Sequence, residues 1–358
     1  MPDAMGICGK VGMADPVIEM SGVWKIFGSA EKVALADAKA GASKAEILAR
    51  HKCVVGIADA SISVQQGEIF CIMGLSGSGK STLLRHVNRL IEPTAGNIRV
   101  LGQDVRALSP KALRELRAER IGMVFQHMAL LPHRSVEDNV AYPLELRGTP
   151  KATRWRIADE KLALVGLQGY ADRLPKELSG GMQQRVGLAR ALAADPAILL
   201  MDEPFSALDP LIRRQLQDQF LALSRQLGKT TLFINHDLDE AIRVGSRIAI
   251  MKDGRIVQTG TPEDIVTKPA DDYVRAFVQN ISKLGLITAR TIMEPLTSVQ
   301  AVRMFDAASA PRATPGANLD ALIGLVAGHD VPVVIDDGGT LVGAVTKDRL
   351  LLAIREGR

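Results

Sequence analysis

Hydrophobic residues follow two alternating patterns over most of the chain. Short continuous apolar runs, typical of strands buried on both faces, lie at residues 69–73, 197–201, 231–235 and 248–251. Apolar positions with helical spacing lie between them, for example at 209–227. Strands that alternate with helices predict an α/β fold with a mostly parallel sheet covered by helices on both faces.

The region before the first buried strand has a different pattern. Residues 17–27 alternate apolar and polar positions like a half-buried strand, and residues 61–64 predict a second one. We expect these strands to form an antiparallel part beside the parallel sheet. Residues 31–52 predict two short helices, the second opened by a capping box of Ser43 and Glu46.

The same patterns predict two domains. The alternation of strands and helices spans residues 16–270, with a helical subdomain at about 127–178. After a linker at 271–285, residues 286–358 form a smaller α/β module of strands and helices. Residues 1–15 show no periodicity and are predicted to be disordered.

Composition narrows the class of protein. Of the 358 residues, 47% are hydrophobic and 23% are charged, which excludes a disordered or fibrous chain. The longest uncharged stretch, 121–133, is shorter than the roughly 18 apolar residues that a membrane span needs. We therefore expect no transmembrane segment.

Charge and cysteine usage exclude further classes. The net charge of +4 comes without a polybasic tail, and the densest charged run, 111–120, alternates in sign like a solvated helix. We therefore expect no nucleic-acid partner. Cys8, Cys53 and Cys71 are odd in number and lack metal-ligand spacing, and no signal peptide is visible, which indicates the reducing cytosol.

A phosphate-binding loop follows the first buried strand directly. Residues 74–82 (GLSGSGKST) precede a helical pattern, and in this order the loop amides and the helix N-terminus can surround an anion. Lys80 would bridge the β- and γ-phosphates, Ser81 would offer its hydroxyl to Mg²⁺, and Thr82 would add a phosphate contact. The candidate nucleotide-binding residues here are Gly74, Ser76, Gly77, Ser78, Gly79, Lys80, Ser81 and Thr82. A glycine-rich turn with a chance lysine would not explain the complete strand, loop and helix.

Two adjacent carboxylates end the second buried strand. Asp202 can hold the Mg²⁺ shell while Glu203 polarises an attacking water. An Asp-Glu pair at a strand end is more often just solvated. Its significance here depends on the phosphate loop that accompanies it.

Further motifs carry a resemblance to a known family. They are residues 178–185 (LSGGMQQR), Gln126 after an apolar run, residues 206–209 (SALD), and His236 after a third buried strand. With the phosphate loop and Asp202, this ordered set resembles the nucleotide-binding subunits of ATP-binding cassette (ABC) transporters over roughly residues 17–265. The resemblance implies ATP and Mg²⁺ as ligands and ATP hydrolysis as the activity.

The resemblance also implies roles for single residues. Phe27 would stack on adenine, whereas Trp24 is better explained by core packing. Gln126 would touch Mg²⁺ and the water, and His236 would contact the γ-phosphate and hold Glu203 and the water in place.

A second set of motif residues implies a partner chain. Ser179, Gly180 and Gly181 would face the nucleotide of the opposite subunit, and Asp209 of the SALD motif is a further candidate nucleotide-binding residue. Each motif is present once, so two copies of the chain would close head to tail around two ATP molecules.

The kind of ABC protein is suggested by what accompanies the motifs. Exporters usually carry their own membrane spans, and we expect none here, which favours an importer subunit. Such a subunit works with separate permease proteins and, through them, with an extracytoplasmic substrate-binding protein. The 31–52 insert and residues 67–82, 88–94 and 201–213 look like the glycine betaine and proline betaine branch. The location implied is the cytoplasmic face of the bacterial inner membrane. A soluble ABC ATPase without a transport role, or an importer of a different small solute, remains an alternative.

The permease is expected to dock on the segment between Gln126 and Leu178. Residues 128–133 and the helical pattern of Val136, Val140 and Leu144 offer an apolar surface, although internal packing is the commoner explanation for such residues.

The tail is similar to a CBS unit at residues 332–354. CBS units work in pairs, but residues 288–295 resemble only the opening of another unit. Nucleotide-binding CBS units have Asp three residues after a Ser or Thr, whereas here Arg349 stands three residues after Thr346. Dimerisation or sensing of ionic strength is therefore an alternative to binding a regulatory nucleotide.

Overall fold

The computed structural model describes residues 15–126, 129–206, 208–279, 281, 284–302, 306–329 and 331–356. Nearly all of the 1–15 segment, Met128 of the expected docking segment and Ala207 of the SALD motif lie outside these residues. The chain forms two compact units. The first comprises the residues up to His236 together with Met251–Ile256, and the second comprises Asp237–Ile250 and the residues from Val257 onward.

The first unit contains an antiparallel and a parallel group of strands. Its strands are β1 (Ile18–Phe27), β2 (Val54–Val64), β3 (Ile69–Met73), β4 (Ala95–Val100), β5 (Gln103–Asp104), β6 (Ile121–Val124), β7 (Ile198–Asp202) and β8 (Thr230–Asn235). Its helices are α1 (Glu31–Lys39), α2 (Lys44–His51), α3 (Lys80–Val87), α4 (Pro110–Glu119), α5 (Val136–Leu146), α6 (Lys151–Leu164), α7 (Gly180–Ala193) and α8 (Pro210–Leu227), with a 3₁₀ turn at Pro175–Glu177.

The parallel strands lie in the order β3-β8-β7-β6. Every residue of β3, β7 and β8 is buried, as the continuous apolar runs predicted. The antiparallel group has the order β2-β1-β4-β5. The predicted α/β fold is thus confirmed for this unit, and the carboxyl ends of β3, β6, β7 and β8 lie at one edge of the parallel sheet.

The insert between β1 and β2 forms the two predicted helices. The capping box is present, since Ser43 Oγ accepts from the Glu46 amide at 3.3 Å and a Glu46 carboxylate oxygen accepts from the Ser43 amide at 2.8 Å. Ile47 is fully buried in a core that also holds Trp24 and Ile26 from β1. Trp24 therefore packs in the core, as the sequence analysis predicted.

Strand β2 is longer than the sequence pattern predicted. It begins at Val54 rather than at residue 61 and pairs with β1 along its length, with shifts of register. Gly56 and Asp59, the latter at a φ of +56°, interrupt the alternation of apolar and polar residues. That interruption hid the first half of the strand.

The second unit has shorter elements. Its helices are α9 (Leu238–Val244), α10 (Pro262–Thr267), α11 (Asp272–Val278), α12 (Ala289–Ile292), α13 (Leu296–Val302), α14 (Leu319–Ala327) and α15 (Lys347–Glu356). Strands β9 (Arg247–Lys252) and β10 (Arg255–Gly260) divide between the two units, and β11 (Arg312–Ala313), β12 (Val333–Asp337) and β13 (Thr340–Val345) belong to the second. Helix α11 lies within the stretch expected to be a linker.

The end of the second unit is a three-stranded sheet in the order β11-β12-β13, with helices packed on it. Its core includes Val333 and Ile335 of β12, Leu319 and Leu322 of α14, and Leu350 of α15. Ala289 and Ile292, from the 288–295 segment that resembles the opening of a CBS unit, are buried in the same core together with the preceding Ile287.

Candidate active site

The loop after β3 depends on glycines where the backbone has no room. Gly74 has a φ of +153°, and a Cβ there would lie 2.2 Å from the Met251 carbonyl oxygen. Gly79, at a φ of +103°, would place a Cβ 2.6 Å from the Gly56 carbonyl oxygen. Only glycine meets both demands, and the loop passes directly into the N-terminus of α3.

Lys80 lies folded over this loop. Its Nζ donates to the carbonyl oxygens of Gly74 at 2.7 Å and Leu75 at 3.1 Å. Burial lowers the pKa of the ammonium, although Glu203 and Asp202 act in the opposite direction. A desolvated cation held beside backbone amides and a helix N-terminus is suited to an anion.

Ser78 shapes the loop from behind. It is 5% exposed, and its Oγ has no hydrogen-bond partner among the described residues. Its carbonyl oxygen accepts from the Gly254 amide at 2.9 Å, which ties the loop to the turn between β9 and β10. Gly74 and Ser78 therefore support the loop, and their contact with a nucleotide stays a prediction.

Asp202 ends β7 next to the loop. It is fully buried, and its carboxylate accepts from Ser81 Oγ at 2.9 Å and from the Arg85 guanidinium at 3.2 Å. No cluster of three or more His, Cys, Asp or Glu side chains suited to a metal occurs in the described ranges. A Mg²⁺ ion, however, needs few protein ligands when phosphates supply the others, and the paired oxygens of Ser81 and Asp202 fit that requirement.

Glu203 lies between two polar side chains from neighbouring strands. Its Oε2 is 3.2 Å from Gln126 Nε2, which follows β6, and 3.2 Å from His236 Nδ1, which follows β8. Its backbone has a φ of +47°, and its amide donates to the Ile234 carbonyl oxygen at 3.1 Å. The structure thus brings Glu203, the expected base, together with Gln126 and His236, to which the resemblance gave roles beside it.

One cleft of the first unit combines these groups. Its lining includes the loop and the catalytic candidates, namely Ser76, Gly77, Gly79, Lys80, Ser81, Thr82, Gln126, Glu203 and His236. It also includes residues that the sequence did not single out, namely Lys44, Ala45 and Leu48 of α2 and Val54, Val55 and Gly56 of β2. No motif marks these six positions, because only the tertiary fold brings the insert to the cleft.

Phe27 lies at the border of this cleft. Its ring is 40% exposed and covers Gly56, where a Cβ would lie 2.6 Å from Phe27 Cε2. Lys25 Nζ lies 5.1 Å from the ring centroid. Phe27 therefore contacts a residue that lines the cleft, and its stacking on adenine stays a prediction.

The remaining motif residues lie at a separate concavity. Ser179, Gly180 and Gly181 at the start of α7 line it with Asp209 at the start of α8. Ser179 Oγ accepts from the Met182 amide at 3.3 Å, and Asp209 accepts from the Ile212 amide at 3.0 Å, so each caps its own helix. The cleft with Lys80 is lined by none of these four residues.

The residues predicted to form the apolar docking surface are not the ones that line an apolar groove in the structure. Val136, Val140 and Leu144 are buried, so the prediction that they form an exposed surface was wrong and the packing alternative is confirmed. An adjacent face of α5 borders a groove lined by Tyr142, Pro143 and Leu146 together with Phe125, Ala129 and Leu131. Helical periodicity finds an apolar face, but it does not tell which face remains exposed. In the part of the chain described, no helix is long and apolar enough to cross a membrane.

Comparison with known proteins agrees with this geometry. A model of the ABC transporter family matches residues 57–206. The chain is 53% identical over 283 residues to the glycine betaine transport ATP-binding protein OpuAA of Bacillus subtilis, covering 79% of this chain and 68% of that protein. It is 45% identical over 341 residues to the glycine betaine/proline betaine transport system ATP-binding protein ProV of Escherichia coli, covering 95% of this chain and 83% of that protein.

Similarity extends to a relative with another named solute and to solved structures. The trimethylamine N-oxide transport system ATP-binding protein TmoW of Ruegeria pomeroyi is 53% identical over 277 residues, covering 77% of this chain and 81% of that protein. The dimeric, post-hydrolysis structure of the ATP-binding cassette MJ0796 bound to ADP and Pi is 30% identical, with a TM-score of 0.59 over 68% of this chain and 98% of that one. The fold and the ordered motifs are therefore those of proteins that bind and hydrolyse ATP.

Proposed function

Because this chain belongs to the ATP-binding subunits of ABC transporters, we propose that it hydrolyses ATP to energise import of glycine betaine, proline betaine or a related quaternary amine through separate membrane subunits. The solutes named for its relatives, glycine betaine, proline betaine and trimethylamine N-oxide, are small dipolar molecules with a fully substituted nitrogen. This shared chemistry supports the substrate class.

The position of Glu203 between Gln126 and His236, beside the phosphate loop, carries the proposal. Gly77, Gly79 and Lys80 would hold the phosphates of ATP, with Thr82 as a further contact. Ser81, Asp202 and Gln126 would hold Mg²⁺, which, when bound, neutralises charge on the β- and γ-phosphates.

Glu203 would accept the proton of the attacking water. His236, 3.2 Å from its carboxylate, would keep that carboxylate in place and contact the γ-phosphate. Phe27, together with the apolar residues near Gly56, would contact the adenine.

A second copy of the chain would complete the site. Ser179, Gly180, Gly181 and Asp209 lie at a concavity separate from the cleft of their own chain. A head-to-tail pair would place this concavity over the partner's nucleotide, and the similar solved cassette is itself described as dimeric. Hydrolysis would then separate the phosphates that bridge the pair and allow it to reopen.

Membrane permease subunits would bind the groove beside α5. Tyr142, Pro143 and Leu146 line it with Phe125, and Leu146 is 67% exposed, so the groove offers a contiguous apolar surface to a partner. An extracytoplasmic substrate-binding protein would act through that permease. The chain would thus work at the cytoplasmic face of the bacterial inner membrane.

We place an ABC domain at residues 16–270, a linker at 271–285 and a CBS-like regulatory module at 286–358. Thr346 Oγ1 accepts from the Arg349 amide at 3.2 Å, so this hydroxyl caps α15. The Arg349 guanidinium donates to the Ile292 carbonyl oxygen at 3.2 Å. Because the Thr346 hydroxyl has an internal partner and Arg349 stands where the ribose-binding Asp would be, dimerisation or sensing of ionic strength is favoured over nucleotide binding for this module.

Transport in proteoliposomes tests the proposal. The chain would be purified together with its permease and substrate-binding protein, and uptake of radiolabelled glycine betaine would be measured with ATP on the side of this chain. ATP-dependent uptake that proline betaine inhibits, and that Glu203→Gln removes, is the expected result. Hydrolysis coupled to a different solute would support the second importer hypothesis, and hydrolysis without any permease partner would support a soluble ATPase.

A further inference from the structure

Part of the cleft lining is an apolar wall formed by helix α2 of the insert and the start of β2. Leu48 of α2 is 50% exposed and Val54 at the start of β2 is 54% exposed, and both line the cleft with Ala45. Val54 pairs with Phe27 across the β1–β2 ladder. An apolar lining of this kind is typical of a ligand-binding cleft.

Gly56 connects this wall to the phosphate loop. Its carbonyl oxygen lies where Gly79 allows close approach, and the Phe27 ring lies against its α-carbon. Phosphate loop, aromatic ring and aliphatic wall therefore meet around one residue of β2. A ligand that extends from the loop along this side of the cleft would reach Val54 and α2.

Several contacts attach the wall to the rest of the first unit. Ile47, next to Leu48, is fully buried, and the His51 imidazole lies 2.8 Å from the Asp37 carboxylate of α1. Glu31 of α1 accepts from Lys25 Nζ at 3.4 Å and from Thr94 Oγ1 at 3.2 Å, which joins the insert to the antiparallel sheet. A surface with this many attachments loses little conformational freedom when it contacts a ligand.

We propose that helix α2 of the insert is part of the nucleotide site, with Leu48 contacting the adenine base. This inference rests on the proposed function, since it assumes that ATP occupies the cleft. The wall is aliphatic where it meets Val54 and Val55, which suits a neutral planar heterocycle better than a further phosphate. The helix thus supplies contacts that Phe27 alone would otherwise provide.

Binding measurements on the full chain, at concentrations where it is monomeric, test this role. Leu48→Gln should weaken MgATP binding about five- to tenfold, because roughly 1 to 1.4 kcal/mol of apolar contact with the base is lost. Inorganic triphosphate, which lacks a base, should bind Leu48→Gln as it binds the unsubstituted chain. Leu48→Met, which keeps an apolar side chain, should restore MgATP binding to within about twofold.

Val33→Gln is the matched control. Val33 lies on α1 of the same insert, is 57% exposed and does not line the cleft, so this variant should bind both ligands normally. Equal weakening of MgATP and triphosphate by Leu48→Gln would overturn the proposal, because it would indicate a disturbed loop. Unchanged MgATP binding with weaker self-association would overturn it in favour of a contact between copies. If the unsubstituted chain bound triphosphate but not MgATP, or neither, the proposed function itself would fail.

Discussion

The two glycine-containing segments of the first unit, the loop at 74–82 and the start of α7, differ in what surrounds their backbone. A Cβ on Gly74 or Gly79 would overlap backbone atoms of the same chain, whereas a Cβ on Gly180 would meet nothing within 4 Å and one on Gly181 would meet only side-chain atoms of Leu208 and Ile212. Gly77 is equally open, but it faces the cleft in which the phosphates would lie. The loop is therefore completed by contacts within one chain, while the segment at α7 leaves space that this chain does not fill.

Removing the carboxylate of Glu203 gives the largest expected effect. Glu203→Gln keeps the shape of the side chain but cannot accept a proton, so turnover should fall about 1,000-fold while MgATP still binds. Steady-state hydrolysis and equilibrium binding would be measured in parallel, and size-exclusion chromatography with MgATP should show a trapped dimer. Glu115→Gln, on the exposed face of α4, is the control. Undiminished hydrolysis by Glu203→Gln would remove Glu203 as the base.

A methyl group added at each of the two segments tests the comparison directly. Gly79→Ala should lower the free energy of unfolding by about 3 kcal/mol, because its backbone is left-handed and its Cβ would contact Gly56. Gly180→Ala should leave that free energy unchanged or slightly higher, because Ala favours the helix and has free space there. Both tryptophans, Trp24 and Trp155, lie in the first unit, so their fluorescence reports its unfolding. Equal destabilisation by both substitutions would contradict the comparison.

A large side chain at the start of α7 should impair the dimer and leave the monomer unaffected. Ser179→Arg should lower hydrolysis about 100-fold through the bulk and charge placed against the partner's nucleotide, without weakening MgATP binding to the monomer. The lost helix cap costs about 1 kcal/mol, which Ser109→Arg, another N-cap serine that accepts from the amide three residues on, would reproduce with normal hydrolysis. Loss of monomer binding in Ser179→Arg would contradict the assignment to the opposite subunit.

Lowering the pH should destabilise the first unit through His86 of α3. This side chain is fully buried, and burial lowers its pKa to about 4 from 6.5. Between these values the unfolded chain takes up a proton that the folded chain does not, so the free energy of unfolding falls as the pH is lowered through this window. The expected loss is about 2 kcal/mol between about pH 7 and pH 5.

Denaturant titrations at a series of pH values would measure this slope. His86→Gln should flatten it even if the variant is less stable at neutral pH. His133→Gln, which changes an exposed histidine of the same unit, should keep it. An unaltered slope in His86→Gln would show that other groups cause the pH dependence.

The sequence predicted the phosphate loop and its neighbours better than the rest of the cleft and the exposed face of α5. The loop, Asp202 and the capping box of the insert are local patterns, in which nearby residues determine the geometry. The position of Leu48 in the cleft lining was missed because it depends on the pairing of β1 with β2. Gly56 and Asp59 conceal the start of β2 in the sequence pattern. The face of α5 was misjudged because periodicity does not reveal which side the neighbouring helices cover.

The left-handed backbone of Glu203 has a meaning for protein engineering. A non-glycine residue at a φ of +47° costs the fold about 1 to 2 kcal/mol. A redesign guided only by heat resistance would choose glycine or asparagine there, and it would produce a hardier protein without the carboxylate. Anyone who builds a thermostable version of this subunit should therefore keep residue 203 unchanged and look for improvements elsewhere.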